Sequence, residues 1–66
     1  HRKIFTKSIV LNKDLDKNHI IKISDLDLKK PNIGINAENI HKVIGKKLKQ
    51  KIKKNTFLQL SHLKKL

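Results

Sequence analysis

Pro31-Asn32-Ile33-Gly34-Ile35-Asn36-Ala37-Glu38-Asn39-Ile40, running on to Val43-Ile44-Gly45, lies between two copies of one short pattern. Lys17-Asn18-His19-Ile20-Ile21-Lys22-Ile23-Ser24-Asp25-Leu26 returns 37 residues later as Lys54-Asn55-Thr56-Phe57-Leu58-Gln59-Leu60-Ser61-His62-Leu63. Lys, Asn, Ser and Leu recur identically across the aligned pairs. Three further pairs swap one bulky apolar residue for another: Ile20 with Phe57, Ile21 with Leu58, and Ile23 with Leu60. Just upstream, Leu15 corresponds to Ile52. Two copies are too few for a solenoid, whose repeats bury their apolar faces on neighbours. Two copies about a central connector predict a small β domain with internal pseudo-two-fold symmetry.

The 66-residue chain is one domain at most. A chain of that size buries only about 60% of its unfolded surface, so the core is modest. Cysteine is absent, which removes disulfides, thiolate metal sites and thiol nucleophiles together. No apolar run approaches the roughly 20 residues of a membrane span, and no signal-peptide pattern opens the chain. The expected setting is cytoplasmic, without membrane, either alone or as a piece of a larger protein.

Seventeen basic residues face five acids, and no Asp or Glu follows Glu38. That balance invites a nucleic-acid reading. Yet every basic residue except Arg2 is lysine, and lysine lacks the bidentate fork that reads phosphate and guanine. Phe5 and Phe57 are the only aromatics, too few for a base-stacking platform. A solvated lysine coat accounts for the charge, and no specific nucleic-acid partner is expected.

In chain order, residues 1–6 read as a linker end or tail, and the domain runs over 7–66. Ile9-Val10-Leu11 is a short β-branched run suited to a buried strand. Asp16-Lys17-Asn18 forms a turn in which Asn18 takes the left-handed place that Gly often holds. Ile20-Ile21-Lys22-Ile23 reads as the next strand. Ser24 reads as the N-cap of a single turn, with Asp27 in its first turn. Pro31 pushes Lys30 toward extended geometry, and Gly34 supplies a turn or a close backbone approach.

The one real helix follows Asn36, a good cap. Glu38 lies in its first turn, Ile40, Val43 and Ile44 fall on one face, and Gly45 is its C′ stop. Leu48, Gln50 and Ile52 alternate with Lys49, Lys51 and Lys53, as in a half-buried strand with a lysine row facing water. Phe57-Leu58-Gln59-Leu60 makes a last strand, and Ser61 caps a final turn. The expected core is Ile9, Leu11, Leu15, Ile20, Ile23, Leu26, Ile35, Ile40, Ile44, Leu48, Ile52, Leu58, Leu60 and Leu63.

Catalytic equipment is not apparent. His1, His19, His41 and His62 sit in separate elements without metal-ligand spacing, and each reads as a surface residue. Asp14 with Asp16, and Asp25 with Asp27, are more simply turn and cap residues than paired carboxylates. There is no Ser/His/Asp constellation and no Gly-rich phosphate loop.

Four stretches carry a resemblance: Lys13-Asp14-Leu15-Asp16-Lys17-Asn18-His19-Ile20, Lys30-Pro31-Asn32-Ile33-Gly34-Ile35, Ile44-Gly45-Lys46-Lys47, and Ile52-Lys53-Lys54-Asn55-Thr56. In order and at matching spacing, they resemble K-D-I-K-K-G-E-I, R-P-G-x-G-I, I-G-K-K and I-K-K-G-T of the C-terminal domain of bacterial sialic acid synthases. That is the SAF or antifreeze-like domain, also similar to type III antifreeze proteins. The resemblance covers about Lys7 to Leu63. It implies a mainly β fold with short helices, the β-clip, with a pseudo-two-fold internal repeat.

The resemblance further implies a non-catalytic module. In the family, a TIM barrel with a divalent metal, manganese or magnesium, condenses phosphoenolpyruvate with an N-acylated mannosamine-type sugar. The antifreeze-like domain covers that active site from the other subunit of a domain-swapped dimer. It holds no cofactor of its own, and its partners are the barrel and the amino-sugar substrate. The Arg of R-P-G, which reaches the sugar's N-acyl group, corresponds to Lys30. Lysine keeps the charge and loses the planar fork. Lys30, Pro31, Asn32, Ile33 and Gly34 are therefore the expected substrate-binding residues, with an exposed loop lysine as the plain alternative for Lys30. Asn32 stands for the first Gly of that motif, and Asn18 and Asn55 stand for two turn glycines.

Two other functions are weighed. A small basic nucleic-acid-binding module is the main alternative. Ice binding needs a flat, mostly uncharged face, whereas Lys13, Asp14, Lys17 and Lys22 would keep the corresponding surface hydrated, so no antifreeze activity is expected.

Overall fold

The computed structural model describes residues 7–64. The segment read as a tail, residues 1–6, and the last two residues of the domain lie outside the described residues. Two strands pair antiparallel, β1 (Ser8–Leu11) and β2 (Leu26–Lys29), in the register Ser8 with Lys29 and Leu11 with Leu26. β1 is buried along its whole length, as its uninterrupted apolar run predicts. β2 is an edge whose residues after Leu26 are exposed. β2 replaces the single turn expected after Ser24: Leu26-Asp27-Leu28-Lys29 alternates apolar and charged residues over only four positions, and the cap reading of Ser24 and Asp27 masks that signal.

The other β segments are isolated bridges rather than strands. They join Ser8 to Asn36, Val10 to Phe57, Leu15 to Ile52, Ile20 to Lys47, and Leu48 to Leu63. The expected strands at Ile20–Ile23, Leu48–Lys53 and Phe57–Leu60 therefore contract to single pairs. Leu48 and Ile52 are buried between exposed lysines as expected, while Gln50 is exposed where the chain bends.

The internal two-fold is real in the backbone. Leu15 and Ile52 each donate an N–H to the other's carbonyl at 2.9 Å. The Asn18 N–H donates to Leu48 O at 2.9 Å, and the Asn55 N–H donates to Leu11 O at 2.8 Å. Ile21 N–H to Lys46 O and Leu58 N–H to Ile9 O, both 2.9 Å, form another related pair. Asn18 and Asn55 have φ of 71° and 68°, the left-handed geometry that asparagine tolerates better than most residues.

Each half-repeat then swings outward through a 3-10 turn, Ile23–Asp25 in one and Leu60–His62 in the other. This corrects the expected core. Ile20 is 52% exposed, Ile23 60% and Leu60 77%, while the intervening Ile21 and Leu58 are fully buried. The residue after each bridge faces inward, and the tight turn carries the next apolar residue out. Val10 and Ala37 are also buried, as is Val43 of the predicted helical face.

The helix is shorter than predicted. A 3-10 turn, Ala37–Asn39, runs into α1 (Ile40–Val43), with the Asn36 side chain accepting from the Glu38 N–H at 2.9 Å. Ile44 is already extended and 39% exposed, so it leaves the core, and Ile40 is only half-buried. Gly45, at φ 92°, stops the helix as expected. The remaining predicted core residues, Ile9, Leu11, Leu15, Leu26, Ile35, Leu48, Ile52, Leu58 and Leu63, are buried together.

Candidate functional site

The loop from Lys30 to Gly34 leaves β2 and crosses the start of β1 to reach its other side, where the Ile9 N–H donates to Ile35 O at 3.0 Å. All five of its residues, Lys30, Pro31, Asn32, Ile33 and Gly34, are exposed. The Lys30–Pro31 peptide bond is cis.

Two anchors hold the loop. The first is Ser8, fully buried beneath it. Its Oγ accepts the Ile33 N–H at 2.5 Å and donates to Asn32 Oδ1 at 3.3 Å. The second is Gly34, at φ 78°, where an added Cβ would sit 2.5 Å from Leu58 O. Both expectations for Gly34, a turn and a close approach, hold at once. With the ends fixed, Lys30 projects from a constrained loop, and its Nζ has no hydrogen-bond or ionic partner among the described residues. Ser8 escaped the sequence reading because one serine beside an apolar run carries no signal of what lies above it.

Beyond Gly34 the surface opens into a groove of ≈ 930 Å³ between the helical segment and the Leu60–His62 turn. Buried Ile35, Val43 and Leu63 and exposed Leu60 supply its apolar lining, and Lys42 and Lys46 line it as well. No acidic residue is among the described residues that line it.

The two 3-10 turns are closed by unlike groups at matching positions. Asp25, 2% exposed, accepts the Lys22 N–H at 2.9 Å, and His62 Nδ1 accepts the Gln59 N–H at 3.0 Å. The reading of Ser24 and Ser61 as N-caps is thus corrected. Both lie inside the turns, whose caps are Lys22 and Gln59, and the side chain at the third position reaches back. Asp27 is in β2.

Asp25 also receives His19 Nε2 at 2.8 Å and Lys13 Nζ at 3.5 Å. Burial pushes its carboxyl up, but the Lys22 N–H, the His19 contact and Lys13 together hold it below its ordinary value. Burial lowers the pKa of His62, in keeping with an Nδ1 that accepts a hydrogen bond. Asp25, His19 and His62 are therefore structural groups rather than the plain surface and turn residues expected. His41 is exposed, and His1 lies outside the described residues.

Among the described residues no group of His, Cys, Asp or Glu could hold a metal ion, and no helix is long and apolar enough to cross a membrane.

The SAF domain family matches residues 6–64. An antifreeze protein-like domain of human N-acetylneuraminic acid phosphate synthase has a similar structure, with a TM-score of 0.90 at 16% identity. The match covers 100% of this chain and 85% of that one. The flagellar protein FlgA from Thermotoga maritima is similar at a TM-score of 0.78 and 26% identity, over 88% of this chain and 24% of that chain. No curated protein sequence matches the chain.

Proposed function

The chain belongs to the SAF domain family, and we propose that it serves as the substrate-recognition and active-site lid domain of a sialic-acid-type synthase. That enzyme class condenses phosphoenolpyruvate with an N-acylated mannosamine-type sugar. The domain is not catalytic alone. The observation that carries the proposal is the exposed Lys30–Gly34 loop, tied down by Ser8 and Gly34 and presenting an unpaired cation. A loop anchored this way loses less backbone freedom when it meets a ligand than a loose tail does.

In this reading the Lys30 ammonium donates a hydrogen bond to the acyl carbonyl of the sugar, and Pro31 to Gly34 shield that contact from water. The divalent metal belongs to the barrel, and the barrel comes from the other subunit. Support comes from the four sequence stretches around Lys13, Lys30, Ile44 and Ile52, together with the likeness to the human synthase domain. The setting proposed is cytoplasmic.

A second reading places the domain in a longer chain that is not a synthase. The flagellar protein favours it, being more similar in sequence at 26% than the synthase domain at 16%. Deletion separates the two. Removing residues 7–64 from the intact protein should abolish phosphoenolpyruvate-dependent condensation of an N-acylated mannosamine. An intact protein that consumes no phosphoenolpyruvate with any such sugar would reject the synthase reading.

A further inference from the structure

We propose that the groove beyond Gly34 is a docking site for a protein segment that carries carboxylates and places an apolar side chain between them. The inference deepens the lid reading, because the lid must be seated on another domain, but its test stands apart.

Three observations converge on that occupant. First, the groove is continuous with the candidate substrate loop, because Gly34 belongs to both. A partner contacting the loop from that side also reaches the groove. Second, its lining is apolar at Ile35, Val43 and Leu63, and Leu60, which also lines it, is 77% exposed. An exposed leucine at a concave apolar surface gains free energy when a partner covers it. Third, Lys42 and Lys46 line the groove with no acid among its described lining residues, so the local field favours an anion over a cation.

A peptide segment satisfies all three. A small anion would use the lysines and leave Leu60 uncovered. Nucleic acid would use the lysines too, but no aromatic side chain on which a base could stack is among the described residues that line the groove.

The probe is a synthetic heptapeptide of alternating Glu and Leu, titrated into the full 66-residue chain and followed by amide chemical shifts at about 0.15 M salt. Saturable shifts confined to Gly34, Val43, Ser61, Leu63 and their neighbours are expected. Lys42→Ala with Lys46→Ala should weaken binding by about tenfold, and Leu60→Ser, at an exposed site that tolerates the change, by a similar factor. Lys51→Ala with Lys53→Ala, on the lysine row away from the groove, should leave affinity unchanged.

Shifts centred on residues 49–54, absence of binding, or equal shifts with free glutamate or a single-stranded oligonucleotide would overturn the proposal. Synthase activity plays no part in this readout. A failed titration beside a functional Lys30 removes the groove alone, and specific peptide binding in a protein without synthase activity removes the lid alone.

Discussion

Leu15 and Ile52, equivalent residues of the two half-repeats, pair with each other through reciprocal hydrogen bonds of 2.9 Å. A residue that bonds to its own counterpart lies beside the symmetry axis, so the axis of the fold passes between these two. Both are buried, and the halves clasp there. The clasp fixes β1 between β2 on one side and the segments at Ile35 and Leu58 on the other, and the Lys30–Gly34 loop is strung across it.

Gly34 and Gly45 both have positive φ, 78° and 92°, but different surroundings, so they separate strain from collision. Gly45→Ala should cost about 1–2 kcal/mol, the cost of a left-handed conformation, because nothing lies within 4 Å of the added Cβ. Gly34→Ala adds a collision with Leu58 O and should cost at least about 2 kcal/mol more than Gly45→Ala. Urea unfolding of both variants measures the difference, and equal costs would show that the Leu58 approach is not tight.

Ser8→Ala removes the acceptor of the Ile33 N–H and the donor to Asn32 Oδ1 from a fully buried site. The Ile33 N–H keeps a bond to Pro31 O at 3.0 Å, so losing the serine should cost about 0.5–1.5 kcal/mol, the size of one hydrogen bond. Hydrogen exchange should accelerate at Ile33 by about tenfold or more relative to Leu58. Unchanged exchange at Ile33 would mean that the loop is held by its ends alone.

The unlike caps of the two turns predict two separate losses of stability in acid. The His62 pKa is lowered by burial, so the unfolded chain takes up a proton first as pH falls. Its contribution is complete above the ordinary value of 6.5 and is lost progressively below it, down to the folded pKa. The Asp25 carboxyl is also lowered, so its contribution is complete above 3.8 and falls away below that. Thermal unfolding from pH 8 to pH 3 should show both phases. His62→Gln should remove the first phase and leave the second, and persistence of the first in that variant would assign it to another group.

The fold is antifreeze-like, but Lys13, Asp14, Lys17 and Lys22 are all exposed. Their hydration breaks any ice-matching plane, so thermal hysteresis should be absent at millimolar protein. A measurable gap between freezing and melting points would contradict this.

The repeat, the two left-handed asparagines and the roles of Gly34 and Gly45 were legible in the sequence, because each depends on a local residue type at a fixed place. The inward faces were not. In Ile20-Ile21-Lys22-Ile23 every apolar residue suits a core, yet Ile21 alone is buried and the expected Ile20 and Ile23 are exposed. What decides is a bridge to Lys47 followed by a 3-10 turn, neither of which leaves a periodic signal. In the second copy Leu58 is buried as expected, and only Leu60, which opens the 3-10 turn, departs from the expected core. Of the candidate site, the exposed loop could be read from Pro31 and Gly34. Its anchor could not, since Ser8 lies 24 residues from Asn32 along the chain. The repeat already sets Asp25 opposite His62, but that each side chain turns back onto the backbone N–H of Lys22 or Gln59 depends on a 3-10 turn that the sequence does not signal.

In the proposed lid role, the clasped halves hold Lys30 out to a sugar bound elsewhere. Michaelis constants of the intact enzyme, measured for both substrates in the wild type and in Lys30→Ala, test it most directly. The account predicts that the KM for the N-acylated sugar rises by about tenfold or more, the size of a lost hydrogen bond to a charged donor, while that for phosphoenolpyruvate stays within about twofold. An unchanged sugar KM, or equal rises for both substrates, would contradict it.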